Sequence, residues 1–213
     1  MTPASALPCP WPDLALRLPH MRVLDGAGAG SLDLQWVAAA KTGDADAFAS
    51  IVGRYQAEIF RHCARMVRNE AEGEELAQEA FVRAWQGLEG YRGEASLKNW
   101  LYRIATNLCL NHLDSWRQKK RSEMDFDRME SAGGPERDFT GSQDARWVRE
   151  AVHRLPPQQR AVVLLKIFEE LKFHEIADAL GLSEGGVKAH FFVAVKNLRK
   201  YRAEAGATRG GGS

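Results

Sequence analysis

The stretch from residue 173 to residue 200 limits most strongly what this chain can fold into. Its first half repeats apolar residues at helical spacing, namely Phe173, Ile176, Ala177 and Leu180. Gly181 follows, and glycine most readily adopts the left-handed conformation that ends a helix. Ser183 is then well placed to cap a new helix by accepting a hydrogen bond from an early backbone N–H group. The pattern predicts two helices joined by a tight turn.

The second of these helices has an apolar side and a side that is free to dock. The apolar stripe consists of Val187, Phe191, Val195 and Leu198. The other faces carry Lys188, Ala189, His190, Phe192, Lys196 and Arg199. Small and basic residues at the start of the second helix are typical of a helix-turn-helix, in which that helix enters a DNA major groove. An ordinary helical hairpin in an all-α protein is the alternative.

Composition sets the class of protein but not its partner. The chain has 213 residues, 45% hydrophobic and 27% charged, as in a soluble globular protein with one large or two small domains. It carries 29 basic and 28 acidic residues. Net charge therefore gives no sign of a nucleic-acid partner, and binding to nucleic acid would depend on local clusters of basic residues.

The cysteines and the N-terminus indicate a cytoplasmic protein. Cys9, Cys63 and Cys109 are odd in number and far apart, which argues against a disulfide framework. No apolar run approaches the roughly 20 residues that span a bilayer. Prolines also interrupt the N-terminus where a signal peptide needs a continuous apolar segment. We therefore expect no membrane insertion.

The first half of the chain predicts an extension followed by a helical domain. Residues 1–30 are rich in Pro, Gly and Ala and are predicted to be disordered, with Met21 as an alternative start. Residues 31–121 contain four helical patterns, of which Asp44 caps the second and Ser96 the fourth.

The second half predicts a linker and a second helical domain. Residues 122–143 lose periodicity and contain Gly-Gly-Pro, which is typical of a flexible linker. Residues 144–202 contain four further helical patterns, and residues 203–213 are expected to be a flexible tail. The predicted fold is all-α: two small helical domains joined by a flexible linker, the C-terminal one containing the helix-turn-helix.

Four segments in this order resemble the extracytoplasmic-function sigma factors of bacteria. They are EGEELAQEAFVRAW (72–85), GYRGEASLKNWLYRIATNLCLNHL (90–113), LPPQQRAVVLL (155–165) and the helix-turn-helix. The resemblance identifies the first domain with sigma region 2 and the second with sigma region 4. It implies a protein that binds core RNA polymerase, directs it to promoter DNA and helps to open the duplex. An anti-sigma factor as a further partner, and no cofactor, follow from the same resemblance.

The resemblance implies that one side of the third helix contacts the largest catalytic subunit of the polymerase. This core-binding set is Glu75, Gln78, Glu79 and Arg83. Charged groups on a rigid helix suit such a surface, because charge sets the register and on-rate of association. Judged from the residues alone, a solvated helix face is the alternative.

The glycine-rich loop and fourth helix are implied to read and melt the minus-10 element. Tyr91 can stack on a flipped base, and Asn107 offers a donor and an acceptor to a base edge. Trp100 is either a packing residue or a base contact. The basic run at the helix end suits phosphates as well as the helix dipole. The full set is Tyr91, Arg92, Trp100, Arg103, Asn107, Arg117, Lys119, Lys120 and Arg121.

The last helix is implied to bind the minus-35 element through Ser183, Lys188, Ala189, His190, Phe192 and Lys196. Lys188 can contact a phosphate or a guanine, and Phe192 or Ala189 a thymine methyl. Two positions depart from the usual family pattern. Gly-Gly-Val stands at residues 185–187 in place of Gly-Thr-Val, and Val193 stands where many relatives carry Arg. These changes remove a hydroxyl and a cation that could contact phosphate.

Three other functions remain as alternatives. An enzyme is disfavoured because the chain has no phosphate-binding glycine loop after a strand and no metal-ligand spacing among its cysteines and histidines. A helix-turn-helix repressor or activator would bind duplex DNA without being a polymerase subunit. A sigma-like protein that only sequesters a regulator would not support transcription.

Overall fold

The fold, taken from a computed structural model, is described for residues 29–123 and 143–210, and for side chains within 31–119 and 147–204. The described ranges contain eight α-helices. In the first domain these are α1 (Ala29–Lys41), α2 (Ala45–Val67), α3 (Glu70–Gly87) and α4 (Leu97–Glu123). In the second they are α5 (Gln143–His153), α6 (Pro157–Val163), α7 (Phe173–Leu180) and α8 (Glu184–Gly210). The all-α prediction is confirmed. The predicted extension and linker lie almost entirely outside the described residues.

Polar side chains begin several helices where the sequence predicts them. The Asp44 carboxylate accepts hydrogen bonds from the backbone N–H groups of Asp46 and Ala47, at 2.9 and 3.0 Å. Ser96 accepts one from the backbone of α4 at 3.1 Å. Ser183 does the same for α8, also at 3.1 Å. Each cap satisfies a backbone donor that a helix start otherwise leaves unpaired.

Two helix ends differ from the sequence-based expectation. The pattern across residues 158–171 predicts one helix, but α6 ends at Val163 and passes into a π-helical turn at Leu164–Phe168. Glu170 then adopts a left-handed conformation (φ 58°), and the Leu171 N–H bonds to the Leu165 carbonyl at 3.0 Å. This closure satisfies the terminal carbonyls, as left-handed helix ends do. The other difference is α8, which continues past residue 202 to Gly210.

A close helix contact fixes α3 on α2. A Cβ atom placed on Gly73 would lie 2.6 Å from Ala64 Cα, so only glycine allows the two backbones to approach this closely. The same side of α3 is buried through small residues and one aromatic, Ala77, Ala80, Phe81 and Ala84. Its polar side therefore faces outward.

The helix-turn-helix is formed by α7 and α8. Gly181 has φ 65° and ends α7, as the sequence predicts. Val187 and Ala194 of α8 are fully buried, and the rings of Phe173 and Phe191 meet edge to face at 5.5 Å. α7 also packs against α4 of the first domain. No helix in the described ranges has the length and apolarity needed to cross a membrane.

Candidate polymerase and promoter interfaces

The four residues of the core-binding set lie together on the outward side of α3. Glu75, Gln78, Glu79 and Arg83 are all exposed. Arg83 Nε donates to Glu79 Oε1 at 2.7 Å, one helical turn away. An exposed pair of this kind stabilises a helix by only about 0.3–0.5 kcal/mol, so a partner can take over either side chain at small cost. The stripe is therefore suited to docking.

α3 and α4 together form a groove that joins residues of both implied sites. It has a volume of about 430 Å³ and is lined in part by Arg83, Trp100, Arg103, Asn107 and Asn111. A flat indole, two guanidinium groups and two amides meet there. These are the groups that stack on a base, contact phosphates and read base edges. The groove can hold part of a single nucleic-acid strand.

The two aromatic residues at this groove take different positions. Trp100 is half-buried and lines the groove. The Tyr91 ring lies behind it, with centroids 5.0 Å apart, and only 7% of Tyr91 is exposed. Tyr91 Oη donates to the Ala95 carbonyl at 2.7 Å, and burial raises the pKa of the phenol. The sequence predicts that the Tyr91 ring is free to stack on a base. In the structure the ring is instead buried, and it packs against Trp100.

The remaining residues of the minus-10 set lie around the groove or beyond it. Arg92 is exposed in the loop before α4. Arg117 and Lys119 are exposed farther along α4, and Arg117 lies 3.8 Å from Asp114. The side chains of Lys120 and Arg121 lie outside the described residues. Trp100, Arg103 and Asn107 are thus the members that the structure brings into one groove.

The minus-35 set maps to one side of α8, with two exceptions. Lys188, Ala189, Phe192 and Lys196 are exposed, and Phe192 is 67% exposed. Val193 beside it is 46% exposed. The exceptions are Ser183, whose hydroxyl caps the helix, and His190, which is half-buried. The Phe192 ring is exposed to water, while the opposite side of α8 packs against the rest of the domain. Such a ring is suited to an apolar contact with DNA, for example with a thymine methyl group.

The cation at the start of α8 has a partner on its own helix. Lys188 Nζ lies 2.6 Å from Glu184 Oε1, four residues earlier. The same contact lowers the pKa of Glu184. Both side chains are about half exposed, so a phosphate can compete with the carboxylate for the ammonium group.

Sequence reasoning missed one polar side chain of the groove and one polar cluster. Asn111 lies one helical turn after Asn107, so helical spacing could have found it. The cluster comprises His62 and Arg65 of α2, Tyr102 and Thr106 of α4 and Glu169 of the second domain. No sequence pattern indicates it, because its members meet only in the folded chain.

The centre of this cluster is buried. His62 is fully buried, with Nε2 2.8 Å from Thr106 Oγ1 and Nδ1 4.0 Å from Glu169 Oε1. Burial, and after it the charge of Arg65, lowers the pKa of His62 to about 3, so the ring is neutral at pH 7. Burial also raises the pKa of Glu169, while Tyr102 and Arg65 act in the opposite direction.

Comparison with known proteins identifies the family. The Sigma-70 region 2 model matches residues 51–121, and the Sigma-70 region 4 model matches residues 145–198. The ECF RNA polymerase sigma factor SigW of Bacillus subtilis is 33% identical over 75% of this chain and 91% of its own. The RNA polymerase sigma-H factor of Pseudomonas aeruginosa is 31% identical over 79% of this chain and 92% of its own.

A solved structure agrees at the level of the fold. CnrH, in complex with the cytosolic domain of CnrY, aligns with a TM-score of 0.61 at 23% identity, over 81% of this chain and 98% of that one. The chain therefore belongs to the extracytoplasmic-function family of RNA polymerase sigma factors, with a region 2 and a region 4 domain. Sigma factors are transcription-initiation factors that act with core RNA polymerase at promoters.

Proposed function

We propose that each of the three surfaces described above has one role in promoter recognition by the polymerase holoenzyme. The α3 stripe of Glu75, Gln78, Glu79 and Arg83 binds core polymerase. The α3–α4 groove holds the single-stranded minus-10 element, and the exposed side of α8 binds the duplex minus-35 element. The observation that supports this most directly is the groove, in which Trp100, Arg103 and Asn107 meet.

Melting is the step that the groove serves. Removing a base from the stack costs a few kcal/mol, which stacking on an aromatic ring and contacts to the base edge can offset. Trp100 supplies the ring and Asn107 the edge contact, while Arg103 neutralises phosphate. Tyr91 contributes by holding the indole in place, and it contacts a base directly only if the loop before α4 opens.

The remaining parts of the proposal concern partners and location. The fold is shared with CnrH, which was solved with the cytosolic domain of CnrY. For the present chain we propose a protein partner as well, namely the anti-sigma factor that the family resemblance implies. The protein works in the cytoplasm, where polymerase and DNA are, and it performs no catalysis of its own.

Run-off transcription tests the function. Purified core polymerase and fragmented genomic DNA are incubated with and without the protein, and the transcripts are sequenced. New transcripts that share two upstream elements are expected. Specific duplex binding by the protein alone, without new transcripts, would instead identify a helix-turn-helix repressor or activator. No signal in either assay would indicate a missing activator or a sequestering role.

A further inference from the structure

The outward side of α8 is apolar where the helix begins. Gly185, Ala189, Phe192 and Val193 follow one another at intervals of three and four residues, so they share one side of the helix. All four are exposed to solvent. We call these four residues the apolar face. Contiguous exposed apolar side chains, unlike single scattered ones, are characteristic of a binding surface.

The nearest polar side chains lie on other sides of the helix. Lys188 and His190 are the sequence neighbours of Ala189, and they therefore lie about 100° to either side of it around the helix. Lys188 is paired with a glutamate of its own helix, and His190 is half-buried. The first cation near the middle of the face is Lys196, about two turns after Ala189. Across residues 185–193, all of which the structure describes, the middle of the face therefore offers no side-chain hydrogen-bond donor or acceptor.

The Phe192 ring is held in place by neighbouring aromatic rings. It meets the Phe191 ring edge to face, with centroids 6.2 Å apart, and Phe191 in turn meets Phe173 of α7 at 5.5 Å. Edge-to-face contacts of this kind are a preferred arrangement of aromatic rings. A side chain that is already ordered loses less conformational entropy on binding. The helix-turn-helix therefore positions this ring before DNA is bound.

An apolar face can distinguish base pairs in the major groove in one main way. The base edges present hydrogen-bond donors and acceptors there, and thymine adds its C5 methyl group. An apolar side chain that covers a donor or acceptor removes its water without replacing the hydrogen bond, which is unfavourable. Contact with a methyl group buries apolar surface on both sides, which is favourable. The apolar face therefore favours thymine.

The spacing of the apolar side chains limits the spacing of the thymines. Ala189 is three residues from Phe192 and four from Val193, which corresponds to about 4.5 to 6 Å along the helix axis. Successive base pairs are about 3.4 Å apart, so these side chains cover about two or three base pairs.

We propose that Ala189, Phe192 and Val193 recognise the minus-35 element through the methyl groups of two thymines that lie within about three consecutive base pairs. This inference rests on the proposed binding of α8 to that element. Val193, where many relatives carry Arg, is then a specificity-determining residue. Lys188 and Lys196 contribute phosphate contacts, which position the helix and carry no base preference.

Replacing thymine by uracil tests the proposal, because deoxyuridine lacks the methyl group and keeps every hydrogen-bonding group. The polymerase holoenzyme selects promoters from a library with a randomised minus-35 element, and the enriched element is synthesised with deoxyuridine at each thymine in turn. We expect about fourfold weaker binding for each of the two thymines, and no change for thymines between the two promoter elements. An enriched element without such thymines, or equal affinity for its thymine and uracil forms, would overturn the proposal.

Variants of α8 show whether the methyl groups contact these side chains. Phe192→Ala and Val193→Ala are each measured against the thymine and uracil elements in a double-mutant cycle, and each is expected to lose the fourfold difference at one thymine. Val148→Ala, which removes an exposed valine from α5 of the same domain, is the matched control and should keep both differences. A uracil effect of equal size in the wild type and in both α8 variants would mean that the methyl groups act through DNA shape, which also overturns the proposal.

Val193→Arg provides the converse test. Arginine pairs with guanine in the major groove, so the element selected by this variant is expected to carry guanine in place of one thymine. The affinity should also become more dependent on salt if the new cation reaches a phosphate instead. An unchanged element with an unchanged salt dependence would exclude Val193 from recognition.

The same selection with the protein alone separates this proposal from the proposed function. If the free protein enriches duplexes that depend on thymine methyl groups, and polymerase gives no transcription, the apolar face is established and the sigma function is disproved. If transcription is found without any uracil effect, the sigma function stands and the proposal fails. If neither the holoenzyme nor the free protein enriches any element, both fail.

Discussion

The groove between α3 and α4 and the outer side of α8 are both suited to DNA, but they are built differently. The groove depends on how α3 and α4 pack against each other and against α2, and the contact of Gly73 with Ala64 holds α3 on α2. The outer side of α8 is a property of one helix, whose exposed residues recur one turn apart. A base pocket therefore depends on the packing of the whole first domain, whereas duplex contacts depend on local sequence.

The most severe test of this difference is the substitution Gly73→Ala. A Cβ at this position would lie 2.6 Å from backbone atoms of Ala64, so α2 and α3 must move apart. We expect a loss of about 3 kcal/mol in the free energy of unfolding, or failure to fold, since overpacking a core costs 1–3 kcal/mol or more. Urea unfolding of the purified protein measures it.

Gly87→Ala on the same helix is the matched control. There the added Cβ would lie 3.7 Å from Trp100 Cζ2, an ordinary contact. Equal stability of the two variants would show that α3 is not held by close backbone contact.

Within the groove, Asn107→Ala tests a contact that forms only on melted DNA. Loss of one base contact is expected to weaken open-complex formation by about 1–3 kcal/mol while binding to core polymerase is unchanged. Permanganate reactivity of thymines in the melted promoter DNA measures open-complex formation. Competition against labelled protein measures binding to core polymerase. Ser115→Ala, also exposed on α4, serves as the control. Unaltered permanganate reactivity in the Asn107 variant removes this residue from the mechanism.

The packing that supports the groove also makes it sensitive to acid. Because burial holds the pKa of His62 near 3, the unfolded chain binds a proton below about pH 6.5 that the folded chain does not. Stability is therefore lost as the pH falls through 6.5, by about 2 kcal/mol between pH 7 and pH 5. The lowered pKa of His153 acts in the same direction.

His62→Gln isolates the contribution of this ring. The variant is expected to lose less stability than the wild type over the same pH interval, as measured by urea unfolding at each pH. Parallel pH profiles would mean that the ring is protonated in the folded protein.

These two surfaces also differ in how far the sequence predicts them. The caps at Asp44 and Ser183, the turn at Gly181 and the exposed side of α8 follow from residues close in the chain. The structure has them as predicted, except that His190 is half-buried. The groove is less predictable from nearby residues. Asn111 was missed, and Trp100 rather than Tyr91 lines the groove, with the Tyr91 ring packed against the indole. Which aromatic ring lines a groove depends on distant contacts, such as the bond from Lys41 Nζ to the Tyr91 carbonyl. Glu169 illustrates the limit, because its partners are distant in sequence and in the other domain.

On α8, Lys188→Ala and Lys200→Ala form a matched pair. Each lysine has a glutamate four residues away on its own helix, Glu184 at 2.6 Å and Glu204 at 3.9 Å. We expect only the start of α8 to enter the DNA major groove at the minus-35 element. Lys188→Ala then reduces the steepness of log affinity against log salt concentration by about 0.9, because one phosphate contact is lost. Lys200→Ala leaves this slope unchanged. Filter binding of the holoenzyme to promoter DNA over a salt series gives both slopes. Equal slopes for Lys188→Ala and the wild type would exclude a phosphate contact.

The smallest expected effect is at the two glycines that open α8. A Cβ on Gly185 meets no atom within 4 Å, so Gly185→Ala should raise the free energy of unfolding by about 0.4–1 kcal/mol by restricting the unfolded chain. At Gly186 the added Cβ would lie 3.2 Å from Ser183 Oγ, the atom that caps the helix, so Gly186→Ala should gain less or lose stability. Thermal unfolding of both variants decides the order. If Gly186→Ala proves the more stable of the two variants, Ser183 can shift to make room for a side chain at residue 186. The absence of the family's threonine at this position would then reflect DNA recognition rather than packing.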